Sequence, residues 1–232
     1  MTRESSEARK VELSILSLGK RFNREWIFNE VNAVISSGEQ AAIIGSNGSG
    51  KSTLLQCILG SMSSSVGSVE LSIDGSQIPR EKQFTYFSIA APYASLYEDF
   101  TLRESITFHS KFKHFLPGIG ENEIAGLTGL SRHLDKKIRH FSSGMRQRVK
   151  LSLAVLSDVP IVCLDEPCSH LDEEGEKWYG TFVQQYMGNR LMLVASNHLD
   201  TETFFCKKQI RVSDYKRSDV RSAADHSQSS QG

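Results

Sequence analysis

The apolar run Ala41-Ala42-Ile43-Ile44 stops at Gly45, and Gly45-Ser46-Asn47-Gly48-Ser49-Gly50-Lys51-Ser52 then completes the phosphate-loop pattern G-x-x-x-x-G-K-[ST]. The motif works only between a buried strand and the start of a helix, so it fixes a strand–loop–helix unit in the fold. Its glycines tolerate positive φ and leave no Cβ in the way, which lets the backbone wrap an anion with its N–H groups turned inward. Lys51 supplies a point charge for the outer phosphates, and Ser52 a hydroxyl for Mg²⁺. Residues Thr53 to Leu59 read as a helix whose positive N-terminus faces the same phosphates. Gly45, Ser46, Asn47, Gly48, Ser49, Gly50, Lys51, Ser52 and Thr53 are therefore the expected binding residues for a nucleoside triphosphate.

Bulk properties narrow the class further. A chain of 232 residues is long enough for a substantial core, in one large domain or two small ones. Lys plus Arg and Asp plus Glu balance at 27 each, so there is no net positive field and no nucleic-acid partner is expected. No apolar stretch approaches the roughly 20 residues that span a bilayer. The polar start, Met1 to Lys10, lacks the apolar centre of a secretory signal. Cys57, Cys163, Cys168 and Cys206 form no C-x-x-C pair, which suits a reducing, cytoplasmic setting. Residues 1–10 and the Ser-rich residues 216–232 are expected to be a flexible start and a disordered tail around a folded domain over 11–215.

Along that domain, short apolar runs from Val11 to Ile35 predict strands and an N-terminal β-rich subdomain. Val69 to Ile73 alternates like a strand, and Asp74-Gly75 is a hairpin turn signal. Phe84 to Ala91 is a further strand candidate. Helical spacing from Leu102 to about Leu134, broken at Leu116-Pro117-Gly118-Ile119-Gly120, predicts a helical subdomain over about 93–155. Strands return at Ile161 to Leu164 and Leu191 to Ala195. The alternation predicts an α/β fold with a mostly parallel sheet.

Two further motifs carry chemistry. The strand Ile161 to Leu164 ends in Asp165-Glu166-Pro167. Ligands gather at the carboxyl ends of parallel strands, so Asp165 is placed for the Mg²⁺ shell and Glu166 for orienting an attacking water. Between the loop and this pair lies Phe141-Ser142-Ser143-Gly144-Met145-Arg146-Gln147-Arg148, opening a helix. In this order the motifs resemble those of the ATP-binding cassette (ABC) ATPases, whose LSGGQ signature is matched loosely by Phe141 to Met145. Ser169-His170-Leu171-Asp172 resembles the family's D-loop, and Phe22 stands where such proteins stack an aromatic ring on adenine. The likeness spans about Val11 to Ile210.

The resemblance implies a P-loop NTPase of ABC type using ATP and Mg²⁺, with Lys51 and Glu166 catalytic and Ser52 and Asp165 on the metal. It implies a homodimer, or a heterodimer with a related ATPase subunit, in which Ser142, Ser143 and Gly144 of one copy face the phosphate loop of the other. It further implies a separate transmembrane permease as partner, docked around Pro92 to Phe108, and a place at the cytoplasmic face of the membrane. A single-cassette ATPase in a soluble assembly or maintenance complex is the alternative. Two positions depart from the family: Pro92 stands in place of a glutamine, with Glu98 a candidate substitute, and the switch histidine falls on either Asn197 or His198.

Overall fold

The computed structural model describes residues 9–197 and 199–216. The first part of the chain holds β1 (Val11–Phe22), β2 (Glu25–Ser36), β3 (Gln40–Ile44), α1 (Lys51–Leu59), β4 (Val66–Ile73), β5 (Ser76–Ile78) and β6 (Phe87–Ala90). Helices α2 (Leu102–Ser110), α3 (Glu121–Leu127) and α4 (Ser143–Val155) follow. The chain closes with β7 (Ile161–Asp165), α5 (Glu173–Tyr186), β8 (Leu191–Ser196), α6 (Leu199–Glu202) and β9 (Lys208–Arg211).

The strands sort into two sheets. One is antiparallel, in the order β2-β1-β4-β5; the other is parallel, in the order β6-β7-β8-β3-β9. The expected α/β architecture with an antiparallel N-terminal sheet is therefore present. The Asp74-Gly75 turn joins β4 to β5 with both residues at positive φ, the geometry that a two-residue hairpin needs. The strand expected over Phe84 to Ala91 is shorter than predicted. Residues 80–86 form a 3₁₀ turn, and only Phe87–Ala90 pair, with β7.

Side-chain alternation along the parallel strands splits the core in two. Ile43, Ile161, Cys163, Leu191, Leu193 and Ala195 point toward α1 and the antiparallel sheet, where Leu54, Leu55, Ile58, Leu13 and Phe28 meet them. Val162, Leu164, Met192 and Val194 point the other way, into the helical layer with Leu151, Val155, Tyr179 and Phe182. Helices on both faces leave one surface where the strands' carboxyl ends are open, and the site lies there.

Candidate nucleotide site

Register brings the phosphate loop, the Asp165-Glu166 pair and Asn197 together. Ile44 pairs with Ser196 and Asp165 with Ala195, so β3, β7 and β8 end side by side. The phosphate loop, Asp165-Glu166 and Asn197 thus leave the sheet at adjacent points. This is where a doubly wound sheet collects ligands.

The loop is shaped for close backbone approach. Gly48 and Gly50 sit at φ 75° and 105°, which side chains rarely adopt. A Cβ at Gly50 would also lie 2.3 Å from Ile27 Cγ2, so both conformation and space demand glycine there. Gly50 caps α1 without a side-chain acceptor, leaving the first-turn N–H groups of the helix for an anion. Lys51 is 4% exposed, and its Nζ donates to the Ser46 carbonyl at 3.2 Å. The ammonium is thereby folded back over the loop it serves.

Asp165 is completely buried, yet neither carboxylate oxygen has a hydrogen-bond partner among the described residues. Burial pushes its pKa up, the nearby Ser52 hydroxyl pulls it back, Glu166 raises it and Lys51 lowers it. An orphaned carboxylate beside a serine hydroxyl at a helix start suits a hard divalent cation, which accepts oxygen ligands. The Ser49 hydroxyl in the same loop is also buried without a partner. The residues present therefore fit Mg²⁺.

Glu166 stands at φ 48°, in the left-handed region. Its N–H donates to the Ala195 carbonyl at 2.9 Å, and its own carbonyl accepts from Ser169 N at 3.0 Å. Gln147, 3% exposed on α4, donates to the Pro167 carbonyl at 2.8 Å. This buried glutamine ties the helix opened by Ser142 and Ser143 to the loop that carries Glu166. No local pattern marks this role, since its partner lies 20 residues on in the chain.

Asn197 donates from Nδ2 to Asn47 Oδ1 at 2.6 Å, bridging the end of β8 and the phosphate loop. His198 lies outside the described residues. Phe22 sits at the β1–β2 hairpin end, 47% exposed, with Lys20 Nζ 4.9 Å above its ring. Pro92 offers no side-chain ligand. Its neighbour Tyr93 lies close enough to Asp165 that the carboxylate adds to burial in raising the phenol pKa. Glu98 instead lines a cleft of about 220 Å³ with Pro92, Ser143, Arg146 and Lys150.

Ser142 caps α4, its hydroxyl accepting from Met145 N at 3.2 Å. Ser143 begins the helix, and Gly144 passes close to the His170 carbonyl, 3.1 Å from where a Cβ would stand. All three line a groove with Arg148, His170 and Asp172 that none of residues 45–53 enters. Within one chain, cradle and helix tip are separate surfaces.

The family model for the ABC transporter matches residues 28–169. The chain belongs to that family. It is an ATP-binding protein of ABC type and an ATP hydrolase. Over 184 residues it is 27% identical to the cytochrome c biogenesis ATP-binding export protein CcmA of Rhizobium meliloti, covering 78% of this chain and 88% of that one. It is 31% identical over 183 residues to the phosphonates import ATP-binding protein PhnC 2 of Oceanobacillus iheyensis, covering 71% of each. Among solved structures, a putative ABC transporter ATP-binding protein from Pyrococcus furiosus shares the fold with a TM-score of 0.74 at 20% identity, covering 89% of this chain and all of that one. One curated relative is named for export and the other for import, so likeness does not set a direction.

Proposed function

We propose that this ABC ATPase is the engine of a transporter, hydrolysing ATP between two ATPase subunits and passing the resulting motion to a separate transmembrane permease. The observation that carries the reading is the convergence of the phosphate loop, Asp165-Glu166 and Asn197 at neighbouring strand ends. Loop N–H groups and Lys51 hold the phosphates, and Phe22 stacks on the adenine. Ser52 and Asp165 hold Mg²⁺, which when bound offsets charge on the phosphate oxygens. Glu166 takes a proton from the water as its oxygen bonds to the γ-phosphorus and the bond to the ADP oxygen breaks. Asn197 donates to a γ-phosphate oxygen. An amide can donate there but cannot take up a proton, so proton removal falls to Glu166; His198 is the other candidate for this position.

Ser142, Ser143 and Gly144 of a second subunit, the same chain or a related one, complete the phosphate shell. Support comes from the separation of cradle and tip within one chain, which leaves the tip without a phosphate to serve. The domain over 11–215 supplies the cradle, and its helical part over 93–155 carries the tip. The permease docks on the exposed rings that follow the Pro92 turn: Tyr97 and Phe112 are 60% and 70% exposed, and Phe100 and Phe108 pack against them, with centroids 5.1 to 5.5 Å apart. In this reading the pathway belongs to the partner; among the described residues no helix is long and apolar enough to cross a membrane. The subunit works as a peripheral protein at the cytoplasmic face.

The test is a Glu166→Gln variant with ATP and Mg²⁺. It is expected to dimerise with ATP, measured by light scattering, while releasing phosphate at least about 100-fold more slowly than wild type. A variant that keeps wild-type turnover would count against the reading; one that stays monomeric at millimolar ATP would count against identical copies as the two subunits.

A further inference from the structure

Glu202 is a carboxylate that no motif predicts, and it is 2% exposed. Its Oε1 accepts the Cys168 backbone N–H at 2.7 Å, and its Oε2 accepts the Ser196 hydroxyl. Its main-chain carbonyl accepts the hydroxyl of Tyr179, a fully buried side chain on α5, at 3.1 Å. Cys168 lies two residues past Glu166, and Ser196 stands one residue before Asn197. One carboxylate therefore fastens the loop bearing the proposed base to the strand end bearing the residue that touches the phosphate loop.

The bonds run in series: Asn47 to Asn197, along the chain to Ser196, across Glu202 to Cys168, and back to Glu166. Glu202 also lines a cavity of about 360 Å³ with Glu166, His170 and Asn197. The loop it holds has a reason to need holding. Glu166 and His170 both stand at positive φ, at 48° and 67°, and a backbone in that region persists only where its surroundings over-determine it. Ala195 and Gln147 restrain this loop from β8 and α4; Glu202 restrains it from the side of α6.

We infer that Glu202 is a positioning residue for ATP hydrolysis: its carboxylate sets the backbone at Cys168 so that Glu166 is aimed correctly, and it keeps that loop in register with Asn197. It acts through the Cys168 N–H and the Ser196 hydroxyl. This rests on the assignment of Glu166 as the base, and the experiment separates the two. Glu202→Gln retains an oxygen for the Cys168 N–H and an amide that can donate to the Ser196 oxygen; Glu202→Ala retains neither.

Both variants are made in the full chain and assayed with the partner that supports turnover, if one is needed. Glu202→Ala is expected to lower kcat by about 100-fold, the scale of a misplacement near 1 Å, with the KM for ATP within about threefold of wild type because the phosphate loop is untouched. Glu202→Gln is expected to recover most of kcat. Amide exchange over residues 166–170 is expected to speed up in Glu202→Ala without nucleotide, a readout independent of catalysis. A Glu202→Ala enzyme with wild-type kcat, or one losing nucleotide affinity and kcat together with its melting transition, would overturn the proposal. So would exchange over 166–170 unchanged from wild type. If Glu166→Gln itself retained wild-type turnover while Glu202→Ala still accelerated exchange, the base assignment would fail and the fastening role would stand.

Discussion

At the scale of single residues, the proposed Mg²⁺ site holds polar groups that are costly to bury. Asp165 is the clearest: a buried carboxylate with no partner among the described residues and a pKa raised first by burial. Because the folded pKa lies above the unfolded value, the penalty is absent at low pH and grows as pH rises through the carboxylate range. Asp165→Asn is therefore expected to stabilise the nucleotide-free protein by about 1 kcal/mol at neutral pH, in urea titrations, while Mg²⁺-dependent hydrolysis falls at least about 100-fold. Lower stability in the variant would mean that the charge is already compensated by Lys51. Residues 45–52 were legible in the sequence because their chemistry is contiguous. Gln147 and Glu202 were not, because each acts on a loop distant in the chain, and a buried polar side chain looks like any surface one until its partner is known.

At the scale of elements, legibility follows local periodicity. In β1 the buried positions run Val11, Leu13, Ile15 and then Leu18, a change of parity that the register break between Ile15 and Leu18 absorbs. Ser17 takes φ 45° there and donates its N–H to Asn32 Oδ1 at 2.8 Å, so the interrupted apolar runs belong to one irregular strand and not to several. The overlong prediction at Phe84 fails for a tertiary reason. Arg80 in the preceding turn donates to the Cys57 and Ile58 carbonyls at 2.6 and 2.9 Å, closing the end of α1 and bending residues 80–86 into a 3₁₀ turn. Helix α2 carries its own pH dependence. His109 meets the Ser157 hydroxyl at 2.8 Å and stacks on Phe115, and burial, with Lys113 adding, brings its pKa down to about 4. The unfolded chain then binds the proton more readily, so stability is expected to fall as pH drops from about 6.5 to about 4, by at most about 2 kcal/mol after allowance for partial exposure. Urea unfolding at pH 7 and pH 5 checks this: the loss should shrink in His109→Gln, and an equal loss in both proteins would assign the effect elsewhere.

At the scale of the whole molecule, the two cores meet different tasks. The cluster beneath the antiparallel sheet fixes α1 and the phosphate loop; the cluster on the other face of the parallel sheet fixes α4 and its tip. Cradle and tip are both placed by one sheet and yet line different surfaces, as the proposed two-subunit site requires. If two identical copies pair with each cradle facing the other's tip, a variant dead in the cradle and a variant dead in the tip should complement. Lys51→Ala removes the cradle charge, and Gly144→Asp places a carboxylate where Gly144 passes the His170 carbonyl. Each alone is expected to be inactive. Mixed in equal amounts, half the dimers combine both variants, and each of these holds one intact site of two, so phosphate release should return to about a quarter of wild type if sites work independently. Should the two sites fire only together, the mixture would stay inactive although mixed dimers form, as light scattering with differently tagged chains would reveal. Absence of mixed dimers would instead require a related but different chain as the native partner, because nothing in this chain's own cradle would then meet its tip.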